Sequence, residues 1–281
     1  MEIILARSAG FCFGVKRATQ MAFEAAEHHS KICSLGPIIH SPQLVDKLAG
    51  KGVSVIRQVE EIPEGAVIIR SHGVTATELD SIQERQLSII DATCPFVKKA
   101  QEHVALLHRE GYTIVLLGDK DHPEVQGLVS YAEGEVFVVA TRGEAERVPR
   151  RGRMGVLAQT TQSQENLRAV VDACLGRCKE LRVFNTICDA TMVRQEEART
   201  VARQSDLVLV VGGYNSANTT RLARICREIQ PHTRHVETAA QIDPAWLPGV
   251  EKVGITAGAS TPCWIIDEVV EKLAGRANNP K

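Results

Sequence analysis

The sequence predicts an α/β fold built from three similar units, each a small, mostly parallel sheet with flanking helices around a shared site. Three observations predict it. Short runs rich in Val, Ile and Leu, bounded by Gly, Pro or polar residues, fall into three sets of four, as buried strands do. Helix-spaced stretches lie between many of them, and strands alternating with helices imply parallel sheets covered on their faces. Each set ends on a cysteine just ahead of a helix-like stretch: Cys12, Cys94 and Cys188.

The first set is Lys31–Leu35, Val53–Ile56, Ala66–Arg70 and Leu87–Asp91. The second is Tyr112–Leu117, Val136–Val139, Met154–Ala158 and Leu181–Phe184. The third is Leu207–Val211, the weak His235–Val236, Lys252–Thr256 and, from the other end of the chain, Glu2–Ala6. Among the helices, Val15, Ala18, Ala22 and Ala25 share one face, and Val97, Ala100, Val104 and Leu107 another. The stretch after Cys188 is less cleanly periodic. The units are therefore 14–94, 95–188 and 189–281, the last completed by strand 1–13. The end, Asn278–Lys281, reads as a frayed tail.

Composition narrows the function. A net charge of −1 supplies no basic field for nucleic acid, so an anionic substrate must be held by local donors. No run reaches the length of a membrane span, and residues 1–7 lack the pattern of a secretory leader. The chain is expected to be cytoplasmic, and its eight cysteines reduced. No Cys-x-x-Cys occurs, which argues against a zinc ribbon, a thioredoxin motif or a bacterial ferredoxin run.

The intervals between the three strand-end cysteines, 82 (12 to 94) and 94 (94 to 188), are too wide for a local metal knuckle. They suit three copies of one unit, each presenting one thiolate to a common centre. Three soft ligands leave a metal with an open position, as in a cubane iron–sulfur cluster whose fourth iron takes no protein ligand. Zinc would need a fourth ligand, such as His122 or His72. Burial in the core is the alternative for any single cysteine. It is the preferred reading for Cys33, Cys226 and Cys263, and for Cys174 with Cys178, four apart as if on one helix face.

The loops correspond as well. After each first strand come Gly36-Pro-Ile-Ile-His40, Gly118-Asp-Lys-Asp-His122-Pro-Glu124 and Gly212-Gly-Tyr-Asn-Ser216-Ala-Asn218. After each third strand come Ser71-His72, Gln159-Thr160-Thr161 and Ala257-Gly-Ala-Ser260. Ligands of open α/β sheets bind outside the carboxyl ends of strands. His40, His72, Ser216, Asn218 and Ser260, with backbone N–H groups at helix starts, would cradle a diphosphate without Lys or Arg. Helix capping is the plainer role for Ser216 or Asn218. Glu124 is the one carboxylate in this set, a proton donor if burial raises its pKa, with Thr160 or Thr161 as a relay. Its plainer role is a helix-start carboxylate. No role is read for His28, His29, His103, His108, His232 or His235.

Nine segments in order resemble the 4-hydroxy-3-methylbut-2-enyl diphosphate reductase family. They are Gly10-Phe-Cys12-Phe-Gly-Val-Lys-Arg-Ala, the His40 loop, Ser71-His72-Gly-Val, Asp91-Ala-Thr-Cys94-Pro, His122-Pro-Glu124-Val-Gln-Gly, Gln159-Thr160-Thr161, Ile187-Cys188, Asn215-Ser216-Ala217-Asn218 and Thr256-Ala-Gly-Ala-Ser260. The resemblance implies a trefoil of three α/β units around one 4Fe-4S cluster, held by Cys12, Cys94 and Cys188 with the fourth iron open. It implies diphosphate binding by His40, His72, Ser216, Asn218 and Ser260, and proton donation by Glu124. Thr160 would lie near the substrate hydroxyl and His122 in the substrate pocket. The implied reaction removes the terminal hydroxyl of an allylic diphosphate with two electrons and two protons, giving isopentenyl and dimethylallyl diphosphate. The implied electron donor is a ferredoxin or flavodoxin; neither nucleic acid nor membrane is an expected partner. Ala217 departs from the Ser that the family often carries there.

Overall fold

The computed structural model describes residues 1–277; the expected frayed tail, 278–281, lies outside them. The chain opens with β1 (Glu2–Leu5) and α1 (Phe13–His28). Next come β2 (Ile32–Leu35), α2 (Pro42–Ala49), β3 (Val53–Ile56), β4 (Ala66–Ile69), α3 (Ala76–Glu84), β5 (Ser88–Asp91) and α4 (Pro95–Arg109). The middle of the chain forms β6 (Thr113–Leu117), α5 (Pro123–Ser130), β7 (Val136–Val139), α6 (Arg142–Ala145), β8 (Arg151–Ala158), α7 (Gln164–Leu175) and β9 (Cys178–Val183). It closes with α8 (Asp189–Gln204), β10 (Leu207–Val211), α9 (Ala217–Ile229), β11 (Thr233–Val236), β12 (Lys252–Ala257) and α10 (Cys263–Ala277).

The strands make three four-stranded sheets of one topology: β3-β2-β4-β5, β7-β6-β8-β9 and β11-β10-β12-β1. Every pairing is parallel. In each sheet the first strand of the set is inner, the second and fourth are edges, and the third lies between first and fourth. β1 takes the fourth place in its sheet, with Glu2 opposite Lys252 and Leu5 opposite Ile255. The inner strands β2, β4 and β10 are buried throughout. This explains why β10 is an unbroken Leu/Val run and why β2 and β4 show no polar–apolar alternation, since a parallel strand covered on both faces needs none.

By contact the chain divides into two compact units. One comprises Met1–Lys16, His40–Leu44 and the chain from Asp189 onward. It holds the β1-containing sheet, with Leu209, Val211, Ile255, Ile266 and Leu273 in one core and Ala198, Val210, Leu222 and Cys226 in a second. The other comprises Arg17–Ile39 and Val45–Cys188 and holds the remaining two sheets. Its cores gather Leu35, Val67, Ile69 and Ile82 on one sheet and Val104, Leu107, Leu116 and Leu157 on the other. No helix among the described residues is long and apolar enough to cross a membrane.

Two local expectations are corrected. Cys174 and Cys178 do not share a helix face: α7 ends at Leu175, Gly176 caps it, and Cys178 begins β9. The apolar spacing continues past Gly176, but the Arg177 N–H turns back to the Cys174 carbonyl at 2.9 Å and stops the helix. Cys263 is not in the core; it opens α10 on the exposed side. The weak periodicity of α8 also has a cause. Its inward face carries the polar residues Thr191, Arg194 and Gln195 beside Ala198, Val201 and Ala202.

Glycine follows the first strand of each set. The N–H groups of Gly36, Gly118 and Gly212 donate to Ile56, Val139 and Val236 at 2.7, 2.9 and 2.9 Å. Gly212 has φ +141°, and a Cβ there would lie 2.4 Å from Thr261 Oγ1. Both the backbone conformation and the crowding exclude a side chain. Gly212→Ala should therefore destabilise the protein by about 1–3 kcal/mol; chemical unfolding measures it, and an unchanged midpoint would contradict the packing described.

Candidate active site

Each of the three cysteines stands immediately before a helix: Cys12 before α1, Cys94 before α4 and Cys188 before α8. Helices α3, α6, α7 and α9 carry Thr or Ser at the corresponding cap, with the side chain accepting a backbone N–H. A cysteine caps less well, so its presence three times over is unlike a capping choice. A helix N-terminus favours negative charge, which suits a thiolate ligand. Cys12 Sγ accepts from the Val15 N–H at 3.5 Å.

One hydrogen bond recurs at all three. The cysteine N–H donates to the carbonyl of the second residue past the third strand: Cys94 to Ser71 at 2.9 Å, Cys188 to Thr160 at 3.1 Å, Cys12 to Ala259 at 3.2 Å. Each thiol is thereby tied to the loop carrying the polar candidates of its own sheet. All three cysteines are half-buried, and none of the eight is in a disulfide. Elsewhere burial pushes the thiol up: Cys33 and Cys178 rise, Cys174 goes to about 11 and Cys226 to about 12. Those four are poor thiolates at neutral pH.

In the unit containing Cys94 and Cys188, the loop after β6 leads into α5. His122 caps that helix, its Nδ1 accepting the Glu124 N–H at 3.1 Å. A ring nitrogen that accepts leaves the proton of the neutral imidazole on Nε2, so His122 offers a donor there. His72 meets His122 edge to face, with centroids 5.4 Å apart. Glu124 is 2% exposed. Its carboxylate accepts from Thr160 twice, from N–H at 2.7 Å and from Oγ1 at 2.9 Å. Burial pushes the Glu124 carboxyl up to about 7, against the pull of the two Thr160 bonds. The same Thr160 carbonyl takes the Cys188 N–H, so one residue contacts both the acid and a cysteine backbone.

In the unit containing Cys12, Ser216 caps α9 by accepting the Thr219 N–H at 3.3 Å. Ser260 Oγ lies 3.3 Å from the His40 carbonyl and 3.5 Å from Ser216 Oγ. The structure thus brings His40, Ser216 and Ser260 together, with Asn218 the second residue of α9. Asn218 is 4% exposed, and neither its Oδ1 nor its Nδ2 has a hydrogen-bond partner among the described residues. A buried amide with both ends unsatisfied costs free energy that a polar ligand would recover.

The LytB protein family matches residues 3–274. The chain belongs to the LytB family. It is 67% identical to the 4-hydroxy-3-methylbut-2-enyl diphosphate reductase of Syntrophotalea carbinolica over 98% of this chain and 99% of that one. It is 61% identical to the protein of the same name from Geobacter sulfurreducens over the whole of both. Among solved structures, it resembles a (E)-4-hydroxy-3-methyl-but-2-enyl diphosphate reductase described as the terminal enzyme of the non-mevalonate pathway. That match has 45% identity and a TM-score of 0.69, covering 98% of this chain and 100% of the other. The reductase from Plasmodium falciparum aligns with TM-score 0.91 at 26% identity, covering 99% of this chain and 89% of that one.

Three further side chains support this candidate site, with no role read for them from the sequence. Gln159 Oε1 accepts the Asp119 N–H at 3.1 Å and holds the loop leading to Glu124. His235 Nε2 donates to the Gly212 carbonyl at 2.8 Å, behind the loop of Ser216. His103 stacks on Phe184, centroids 3.9 Å apart, four residues before Cys188. Both histidines sit within regular elements, α4 and β11, away from the matched loops.

The buried Glu124 makes a pH prediction. Its folded pKa, about 7, lies above the ordinary 4.5. The fold therefore gains most below the unfolded pKa and loses this stability as pH climbs through the folded one. Glu124→Gln lacks the titration. Between roughly pH 5 and pH 8 the wild-type protein should lose stability relative to Glu124→Gln, on the order of a few kcal/mol. Urea unfolding of both proteins across that range measures the gap, which stays constant if the carboxyl is not held protonated.

Proposed function

We propose that this chain removes the terminal hydroxyl of (E)-4-hydroxy-3-methylbut-2-enyl diphosphate. Two electrons and two protons enter, the C–O bond breaks, and water leaves with isopentenyl or dimethylallyl diphosphate. Membership of the LytB family over nearly the whole chain supports the reaction. The observation that carries the chemistry is Glu124: a buried carboxyl near neutral pKa, held by Thr160.

The family is an iron–sulfur one, and the donor set fits such a group: three half-buried thiols at helix starts, each with the same backbone tether. We assign Cys12, Cys94 and Cys188 as the three protein ligands of one 4Fe-4S cluster with an open fourth iron. Bound there, the cluster would supply the electrons and a Lewis-acidic position for the substrate hydroxyl. The three sequence units 14–94, 95–188 and 189–281 with 1–13 would each contribute one ligand.

The polypeptide does the rest. His40, His72, Ser216, Asn218 and Ser260 are assigned to the diphosphate, with the unpartnered Asn218 amide and the α9 N-terminus as its strongest neutral donors. A diphosphate bound this way needs no Lys or Arg. Glu124, protonated near neutral pH, donates to the departing oxygen. Thr160 Oγ1 orients that oxygen and passes the proton, and His122 Nε2 supplies a further donor. Burial of the acid keeps water from competing for its proton. We place the reaction in the cytoplasm, with a ferredoxin or flavodoxin as electron donor.

Two measurements test this reading. Glu124→Gln should keep its iron and lose about a hundred- to ten-thousand-fold in turnover of reduced enzyme to isopentenyl diphosphate; wild-type turnover would remove Glu124 from the role. Cys94→Ser, purified without oxygen, should hold little iron and acid-labile sulfide. Full retention with an unchanged visible spectrum would exclude Cys94 as a ligand.

A further inference from the structure

Two arginines outside the proposed ligand and substrate sets are tied to the turns that deliver the cysteines. Arg194, on α8, is 5% exposed. Its Nη2 donates to the Gly10 carbonyl at 2.7 Å, two residues before Cys12. Its Nη1 donates to the Ala190 carbonyl at 3.0 Å, two residues after Cys188. Gly10 has φ +101°, so its carbonyl direction is set by a backbone that few other residues adopt. Arg17 does the equivalent for Cys94. Its Nη1 donates to the Thr93 carbonyl at 3.1 Å, one residue before Cys94, and its Nη2 to the Asp91 carbonyl at 3.4 Å. The turn before Cys188 is held by neutral groups instead: Thr186 Oγ1 accepts the Ala158 N–H at 2.9 Å, and Asn185 Oδ1 the Ile187 N–H at 3.3 Å.

Burying the Arg194 guanidinium costs it solvation. The Cys188 turn shows that a cysteine-bearing turn can be held by neutral side chains alone. What a guanidinium adds is a fixed positive charge within three residues of a thiolate ligand. Iron–sulfur potentials respond to nearby charge and to the groups that orient the ligands. A positive charge stabilises the more negative, reduced state.

Building on the cluster assignment above, we propose that Arg194 and Arg17 are positioning residues for the iron–sulfur centre. Each holds the turn before a ligand cysteine by its carbonyls, and together they raise the reduction potential of the centre.

The test is a redox titration of anaerobically purified holoenzyme, followed by visible absorbance and electron paramagnetic resonance, with Arg194→Gln, Arg194→Lys, Arg17→Gln and Arg17→Lys. Iron and sulfide content are read on the same samples. The Gln variants should shift the midpoint to more negative potential, by on the order of tenfold in the reduction equilibrium (~59 mV for one electron). The Lys variants, which keep the charge, should retain most of the wild-type value. A purely structural role would lower thermal stability in all four and leave the midpoint of loaded enzyme where it was.

Arg17 is only half-buried, so Arg17→Gln decides if Arg194→Gln fails to fold. An unchanged midpoint in loaded Arg17→Gln overturns the proposal. If Arg17→Gln loads no cluster, Arg17→Lys decides: a loaded centre with the wild-type midpoint upholds the role of the charge, and a midpoint shifted to more negative potential or equal loss of iron overturns it. Wild-type protein without iron or sulfide would instead sink the cluster assignment itself.

Discussion

The structure depends on the bond between each cysteine N–H and the loop past the third strand of its sheet. That bond joins each of the three thiols to the polar loop beside it. Parallel pairing makes it possible. All four strands of a sheet run the same way, so every loop leaving a carboxyl end emerges on one side. The fourth strand, at the edge, releases the chain just where the third-strand loop presents a carbonyl. Ser71, Thr160 and Ala259 supply that carbonyl through the main chain, which leaves their side chains open to differ. The repeat is therefore strict in backbone and loose in side chains, as one scaffold serving different tasks requires.

Two matched loop positions carry side chains of different chemistry. Glu124 and Asn218 stand six residues past the matched glycines Gly118 and Gly212, and both are buried near a helix start. One is ionisable, the other not. Burial holds the carboxyl near neutrality despite two donors that favour its charged form. At Asn218 the same burial leaves an amide with unmet hydrogen-bonding capacity. A single loop position thus carries a buried acid in one sheet and a buried amide with unmet hydrogen bonds in another, decided by one side chain.

Much of the fold was legible because parallel, doubly covered strands leave an unmistakable trace. The run at Leu207–Val211 matches its buried inner strand residue for residue, and the edge strands Val53–Ile56 and Val136–Val139 match as well, marked by their β-branched residues. The closing of the third sheet by β1 was legible as a missing fourth run. Local chain reversal was less so. Cys178 looked helical because apolar spacing carried on past Gly176, where a single turn converts helix to strand. Cys263 looked buried because Trp264, Ile265 and Ile266 follow it, yet the first residue of a helix faces away from the core its neighbours enter.

By itself, the sequence determined the three-unit α/β plan, the cysteine that ends each unit and the loop residues beside it, because strand burial and loop chemistry are written locally. Tertiary structure alone decided which groups support them. Arg194 reaches Gly10 across 184 positions, Arg17 reaches Thr93 across 76, and His103 covers Phe184. Nor does any local pattern state that Glu124 sits in the dry interior with Thr160 as its partner. A pKa and a buried charge belong to the surroundings of a group, and those surroundings exist only once distant segments have packed together.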